Sequence, residues 1–540
     1  MITHLGFSYI YLLLNIWVVN LKQIFDFIIN INKSINEFVW ITVGIPLLLF
    51  VGILITVLTK GFQITHFKHI FKSTIGNIFS KKNKRKTADS SSISQFQALC
   101  TALASTIGIG NITGVSAAIL TGGPGAIFWM WVAAFLGMMT IYAENVLGIY
   151  FRRKNAQGEW SGGAMYYLQD GVGKLCGLKK FGKALAVLFS FFTVLAAVGV
   201  GNMAQVNTII NNFTSAFNMP FLSDIVLVES GSYSLNLYTV IIAVLLMCLV
   251  AIIITGGLKR IAGVTEKVVP VMVILFVLGS ISVILINYKN IFSAFKSIFV
   301  CAFNTNAAFG GLAGISVKFV IEQGFKRGMF TNEAGLGSSV MINSNSDVIE
   351  PARQGMWGIV EVFIDTIIMC TLTALVILTS GVIDLKDFTT VTNNSTLLVA
   401  EAFNSAFDFN IGFGKIFVAL SVLLFAFSTI LGWSHYGSKS IEYITNSNKA
   451  IKTYKILFIL AVFIGAVIDN NIILDICDTF NGLMMIPNLI GVVLLLPLVL
   501  KITKNYKDRY IKKITGIKPI LSYSGNIQNE QEAKLEIEEY

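Results

Sequence analysis

Apolar residues in this chain fall in long blocks, without the alternation of a half-buried strand. Blocks of this kind read as helices crossing a hydrocarbon layer, each needing about 20 residues. The missing period of two excludes an outer-membrane barrel. Spans are predicted at Val39–Leu58, Ile93–Leu120, Gly125–Tyr150, Ala184–Phe213, Tyr238–Ile254 and Val268–Ile286. Five more follow at Cys301–Val320, Gln354–Leu378, Ile411–Tyr436, Ile456–Ile468 and Leu474–Leu500, the shortest extending toward Lys452.

Composition agrees with that pattern. Hydrophobic residues make up 55% of the 540 and charged residues 13%, against about 25% charged in soluble proteins. A larger core would not remove the need for a polar surface, so lipid must replace water over most of the exterior. The class is an all-α polytopic membrane protein with 11 transmembrane helices.

The net charge of +11 does not point to nucleic acid, because the basic residues sort by loop. Segments Lys60–Lys86, Arg152–Lys183, Lys259–Lys267, Lys318–Arg353, Lys439–Lys455 and the tail from Lys501 hold 34 of them. The opposite side has six: Lys22, Lys33, Lys289, Lys296, Lys386 and Lys415. The positive-inside rule makes the first set cytoplasmic, with the N-terminus outside and the C-terminus inside. The run Lys81–Lys86 is then a topology anchor.

Other features are bland. Phe7–Leu21 is apolar but lacks the basic flank and small-residue site of a cleaved signal. The tail Lys501–Tyr540 turns polar and reads as a partly disordered cytoplasmic extension. Six scattered cysteines form no C-x-x-C pair and imply packing, not a disulfide framework. His66 and His69 form an H-x-x-H with no acidic third ligand beside them. No Walker A loop is present.

One span carries an anomaly. Ala104-Ser105-Thr106-Ile107-Gly108-Ile109-Gly110-Asn111-Ile112-Thr113-Gly114 places three glycines in mid-membrane, each weakening a helix by about 1 kcal/mol relative to alanine. Irregular backbone survives in a bilayer only where it faces protein or a wet cavity. A broken helix offers N–H groups and a positive dipole end to a carboxylate, and free carbonyls to a cation. Gly110, Asn111 and Thr113 would stand near the first, carbonyls over Thr106–Ile109 near the second. Close packing through Gly110 and Gly114, spaced as GxxxG, is the alternative. A second glycine-rich stretch, Ala307–Gly314, favours binding. It opens a second set of five helices, and five being odd, the two sets run inverted. The domain plan is then 1–36 extension, 37–92 extra helix and linker, 93–287 and 301–500 the repeats, and 501–540 tail.

The block Gly122-Gly123-Pro124-Gly125-Ala126-Ile127-Phe128-Trp129-Met130-Trp131-Val132-Ala133-Ala134-Phe135-Leu136-Gly137 resembles the signature of the alanine/glycine:cation symporter family. The resemblance continues through Gly162-Gly163-Ala164-Met165-Tyr166-Tyr167, Arg327–Gly335 and Leu431-Gly432-Trp433, and covers about Glu37 to Leu500. It implies a leucine-transporter-like 5+5 inverted repeat with one extra N-terminal helix, in the cytoplasmic membrane. It also implies sodium-coupled uptake of alanine, glycine or similar small amino acids, without an organic cofactor. Where the family often has Gly-Thr-Gly-Asn, this chain has Gly108-Ile109-Gly110-Asn111, lacking one hydroxyl.

For such a zwitterion, dipoles and amides avoid much of the desolvation cost of buried charge. Asn202 and Gln205, three apart on one helix, are deep amides that need partners; Gln205 is assigned to the substrate ammonium, with interhelical bonding the alternative for both. Phe309, Gly311 and Leu312 from the second stretch, with Trp433, are expected to bound the substrate, beside Gly110 and Gly114. By analogy with the fold, hydroxyls of Ser428 and Thr429 join carbonyls of Thr106, Ile107 and Ile109 around sodium. Glu361 and Asp365, four apart, are intramembrane acids and therefore functional candidates; proton coupling would run through them. Glu144 and Glu322 could pair with Arg152, Arg153, Lys326 or Arg327 as an inner gate. A channel is disfavoured by the dead-end half-helices, and no nucleophile or metal constellation supports an enzyme.

Overall fold

The computed structural model describes residues 27, 29–78, 92–155, 158–230, 233–304, 316–384, 392, 394–407, 412–467 and 470–539. Its main helices are α1 (Ile29–Leu58), α2 (Gln95–Thr106), α3 (Thr113–Gly122), α4 (Gly125–Tyr150) and α5 (Lys179–Ala216). Next come α6 (Leu237–Thr255), α7 (Gly257–Ile286), α8 (Ile291–Phe303), α9 (Val317–Asn332) and the single turn α10 (Val340–Asn343). The chain continues through α11 (Pro351–Thr379), α12 (Ser395–Asn404), α13 (Phe413–Thr445), α14 (Asn448–Val467), α15 (Asn470–Leu494), α16 (Leu496–Tyr506) and α17 (Gly525–Glu539). Two small antiparallel hairpins interrupt the helices: β1 (Arg153–Lys154) with β2 (Trp160–Ser161), and β3 (Val226–Ser230) with β4 (Tyr233–Asn236).

Among the described residues nine helices are long and apolar enough to cross a membrane. The path from α2 to α3 is not one of them. The capping box at Ser94 and Gln97 starts α2. The helix then stops at Thr106, a 3₁₀ turn covers Ile109–Asn111, and α3 resumes at Thr113. The predicted break is therefore present.

The expected second break, Ala307–Gly314, falls outside the described residues. The predicted span Cys301–Val320 is replaced by α8 and α9, and residues 305–315, with Phe309, Gly311 and Leu312, fall outside the described residues. The described interruption follows α9. Glu333 (φ 55°), Gly335 (φ 89°) and Gly337 (φ 73°) are all left-handed, and α10 begins at Val340. Residues 331–346 are all buried, so 318–353 is no cytoplasmic loop. Lys318, Glu322, Lys326, Arg327 and Glu333 hide this buried path from a hydropathy pattern, because each charge lowers the average.

The two broken paths run antiparallel and side by side. Ile93, before α2, bridges Ser346, beyond α10. Gly110 in the first break abuts Thr331 at the end of α9, and Thr121 at the end of α3 bonds Gln323 near the start of α9. Helix α4 packs along α9 and α11, while α13 covers α2 and α5. Helix α12 lies against α3.

Lipid gives helices little hydrophobic drive to associate, so close contact through small residues matters more. A Cβ at Gly432 would lie 1.9 Å from Ser105 Oγ, and one at Gly201 2.4 Å from Trp433. At Gly125 it would lie 2.3 Å from the Cys301 carbonyl, where α8 crosses α4. The tail is also more ordered than its composition suggests. Arg509 holds Glu350 at 2.6 and 2.8 Å, and the Tyr523 amide donates to the Tyr150 carbonyl at 2.8 Å.

Overpacking of this kind costs about 1–3 kcal/mol. Gly125→Ala should therefore lower the melting temperature of the detergent-solubilised protein. Gly114→Ala should not, because its Cβ meets nothing within 4 Å. Equal melting temperatures for the two variants would contradict the packing described here.

Candidate functional site

Backbone geometry at the first break follows from two amide-bearing side chains, Asn111 and Gln205, with Asp365 and Thr373 behind them. The Gly108 N–H, freed from the helical ladder, donates to Asn111 Oδ1 at 3.1 Å. The Ile109 N–H donates to Gln205 Oε1 at 3.4 Å. Asn111 Nδ2 donates to Asp365 Oδ1 at 2.8 Å and to the Asp365 carbonyl at 3.1 Å. The Asn111 carbonyl accepts from Thr373 Oγ1 at 2.7 Å. Asn111 is thus the brace between the break and α11, and its amide is fully engaged.

Both partners of the break stand beside π-helical turns. One covers Gly199–Met203, just before Gln205, and the other Phe363–Cys370, around Asp365. Such wide turns shift side-chain direction and are frequent at functional positions. Asn202 does not share the face of Gln205: its Nδ2 donates to the Phe458 carbonyl of α14 at 2.6 Å. The π turn between the two explains this, because a spacing of three no longer means one face. Gln205 Nε2 is held by the Val200 carbonyl at 3.2 Å.

On the other side of the break the Ala104 carbonyl points at α13. It accepts from Ser428 Oγ at 3.4 Å and Thr429 Oγ1 at 3.0 Å. The same hydroxyls reach the Phe425 carbonyl at 2.8 and 3.0 Å. Four neutral oxygens therefore meet, all on buried residues. Ala104 and Phe425 escaped the sequence reading because a carbonyl acceptor leaves no mark on residue type. The i, i+4 relation of Ala104 to Gly108, whose amide has turned away, was the available signal. Thr106 makes its hydroxyl bonds within its own helix, to Ala102 and Leu103 carbonyls at 3.3 and 3.4 Å. The Ile109 carbonyl accepts from Thr113 Oγ1 at 2.8 Å.

The second break adds its own polar groups. Glu333 accepts from Ser338 Oγ at 2.5 Å and faces Trp433 and Tyr436 of α13. Asn332 Nδ2 donates to Thr366 Oγ1 at 3.1 Å, and Thr366 Oγ1 to Asp365 Oδ2 at 2.8 Å, which ties both breaks to α11. Glu144 of α4 accepts from Asn488 Nδ2 at 2.5 Å, and Asn488 also donates to the Gly335 carbonyl at 2.8 Å. Trp433 lies against Gly201 and is buried.

The expected inner-gate pairs are not those formed. Glu144 has no cation partner among the described ion pairs, and Glu322 pairs with Lys318 one turn away. Arg153 pairs with Asp170, and Lys326 with Asp478 at 2.6 Å. Buried Arg152 donates to the carbonyls of Ser344, Ser346 and Val348 at 3.1, 2.6 and 2.8 Å. It thereby caps the end of the second broken path, where a cation complements the helix dipole. A cavity of about 230 Å³ opens at that end between His69, Gln95, Arg353 and Tyr506, away from both breaks. Burial, then Arg353 and Lys72, hold the His69 imidazole below its ordinary range. It shares bonds with Tyr506 and Ser73.

Residues 25–518 match the model of the sodium:alanine symporter family. The chain belongs to that family. It is 39% identical over 484 residues to the sodium/alanine symporter AgcS of Methanococcus maripaludis, covering 89% of this chain and 98% of AgcS. Two Bacillus subtilis relatives are each 31% identical over about nine-tenths of both chains, and both are named provisionally. YrbD is called a sodium/proton-dependent alanine carrier, GlnT a sodium/glutamine symporter. The protein is a multi-pass membrane transporter and not an enzyme.

Replacing Asn111 by alanine strips partners from the Gly108 amide and Asp365, and each buried orphan costs about 1–3 kcal/mol. Asn111→Ala should therefore melt well below the parent protein in detergent. Thr121→Ala, which removes an exposed bond to Gln323, should not. Unchanged melting of Asn111→Ala would show that the break is held by something else.

Proposed function

We propose that this transporter carries small neutral amino acids, alanine or glycine, into the cell by alternating access, driven by sodium. The observation behind this reading is the convergence of Ala104, Phe425, Ser428 and Thr429 oxygens beside a helix break. Unwound carbonyls with hydroxyls form a neutral oxygen cage of the sort that takes sodium at broken helices. Ile107, where the helix turns aside, would add a further carbonyl. Thr106 and Ile109, engaged as described, would contribute less.

In this reading the substrate carboxylate meets the positive end of α3, near Gly110, Thr113 and Gly114, with Asn111 holding the turn. Gln205, beside Gly108 and Ile109, takes the ammonium group. Trp433 closes the far side. Asn202, engaged with α14, is left out. Small size would be enforced by a tight wall, though one methylene is worth only about 1–3 kcal/mol in such pockets. Names among the relatives range from alanine to glutamine, so the wall, and not the family, sets the cargo.

Nine uninterrupted helices among the described residues and the two broken paths would make eleven crossings. Placing Lys318, Lys326 and Arg327 on the outer half of α9 still leaves a large majority of basic residues on one side. The N-terminus outside and the C-terminus in the cytoplasm therefore stand as the proposed orientation.

Radiolabelled alanine uptake into proteoliposomes tests the whole scheme. Uptake should need an inward sodium gradient. Uptake that ignores sodium but collapses with a protonophore would assign coupling to protons instead. Ser428→Ala with Thr429→Ala should raise the sodium needed for half-maximal uptake at least tenfold, and an unchanged requirement would remove both hydroxyls from the site. Gln205→Ala should abolish alanine uptake while the protein stays folded in detergent.

A further inference from the structure

Four carboxyl groups lie in the interior with 2% exposure or less: Glu144, Glu333, Glu361 and Asp365. Among the described residues, no ion pair joins any of them to a lysine, arginine or histidine. Four unneutralised charges this close would be prohibitive in a low-dielectric interior. A carboxylate is kept ionised by donors, so the donor count separates the four.

Asp365 accepts two bonds of 2.8 Å, from Asn111 and Thr366. Glu333 accepts 2.5 Å from Ser338. Glu144 leaves one oxygen bare, but it accepts 2.5 Å from Asn488, and the amides of Gly335 and Gly337 turn toward it. Glu361 differs. Its one donor is Asn343 Nδ2 at 3.3 Å, and its Oε1 meets no partner.

An independent feature faces the same stretch of α11. Asn145 of α4 is fully buried, yet neither its oxygen nor its nitrogen has a partner. It faces α11 at Gly358, where a Cβ would lie 2.6 Å from Asn145 Nδ2. Gln354, Gly358 and Glu361 recur at helical spacing and so share that face. Gln354 Nε2 donates to Asn343 Oδ1 at 2.9 Å, while its own Oε1 is unpartnered. A line of polar groups thus runs from the first turn of α11, beside Glu350 and Arg353, through Gln354 and Asn343 to Glu361. Asp365 and the first break lie one turn further on.

We propose that Glu361 is a proton-binding site of this transporter, protonated in the conformation described here and exchanging its proton with water at the Gln354 end during the transport cycle. Binding takes a proton from hydronium, forms the O–H bond on Glu361 Oε1 and leaves water; release reverses this. The titratable groups facing Glu361 are Glu144 from α4, Glu333 from the second break, Asp365 on α11 itself and Tyr436 from α13. His435 of α13 lies by Met341 next to α10. Of the cations at the far end, Arg152 is bound to carbonyls and Arg509 to Glu350, with Arg353 two turns from Glu361.

The test rests on the transport reading above for its flux arm only. Proteoliposomes loaded with a pH-sensitive dye should show a luminal pH change when sodium and alanine are added to the wild-type protein. Glu361→Gln, which keeps the shape of the neutral acid, should abolish that pH change and flatten the pH profile of alanine uptake. No linked pH change in the wild type, or an undiminished one in Glu361→Gln, overturns the proposal. Infrared spectra supply a second arm that needs no transport. The wild type at neutral pH should show the carbonyl stretch of a buried protonated carboxyl that Glu361→Gln lacks. Identical spectra would overturn the proposal even if sodium-driven uptake were demonstrated. Should alanine uptake itself be absent, that spectral difference still stands or falls alone.

Discussion

Backbone that cannot close its own helical bonds inside a membrane has to be bonded by something else, and here the Asn111 amide carries that task. Unsatisfied backbone groups cost several kcal/mol each in lipid. Asn111 takes the Gly108 N–H with its oxygen and gives its nitrogen to Asp365. Gln205 takes the next N–H. With those two donors drawn sideways, the Ala104 carbonyl is left for Ser428 and Thr429. The oxygen cage on one side of the break is thus a consequence of how the other side is braced.

The second broken path solves the same problem differently. Three left-handed residues turn the chain between α9 and α10, and the polar groups needed there come from three other helices and the loop after α4. Asn488, Glu144, Thr366 and Arg152 each touch this path or the loop that ends it. The antiparallel contact of the two paths, at Gly110 with Thr331 and Ile93 with Ser346, allows each break to share partners on α11. A movement of either path would have to rearrange those shared bonds, which is what a gated carrier requires of a two-state element.

Much of the helical plan could be read directly from the blocks of apolar residues. The span Gly125–Tyr150 agrees with α4 at both ends, and the break around Gly108–Asn111 stands where glycine and mid-membrane position put it. Glycine content did not point to the interruption after α9. Ala307–Gly314 lies outside the described residues, and a left-handed interruption follows Asn332, inside the Arg327–Gly335 stretch that carries the family resemblance. Charges on α9 hid the buried path it opens, since a hydropathy pattern treats every charge as a solvent mark. The tail misled in the opposite sense, its polar composition giving no hint that Arg509 and Tyr523 dock it.

Sequence by itself determined that this chain lives in a membrane, because too few charged residues exist to coat a soluble surface. It determined the first break, since three glycines in a lipid-spanning helix must be paid for by local partners. Tertiary structure alone decided who those partners are. Asp365, Gln205 and Ser428 are separated from the break by about 90 to 320 residues of chain. Their choice depends on helix rotation, which π turns at Gly199–Met203 and Phe363–Cys370 alter by one residue. Hydrophobicity sets which segments are buried; it carries no information about the direction in which a carbonyl points once its helix has been broken.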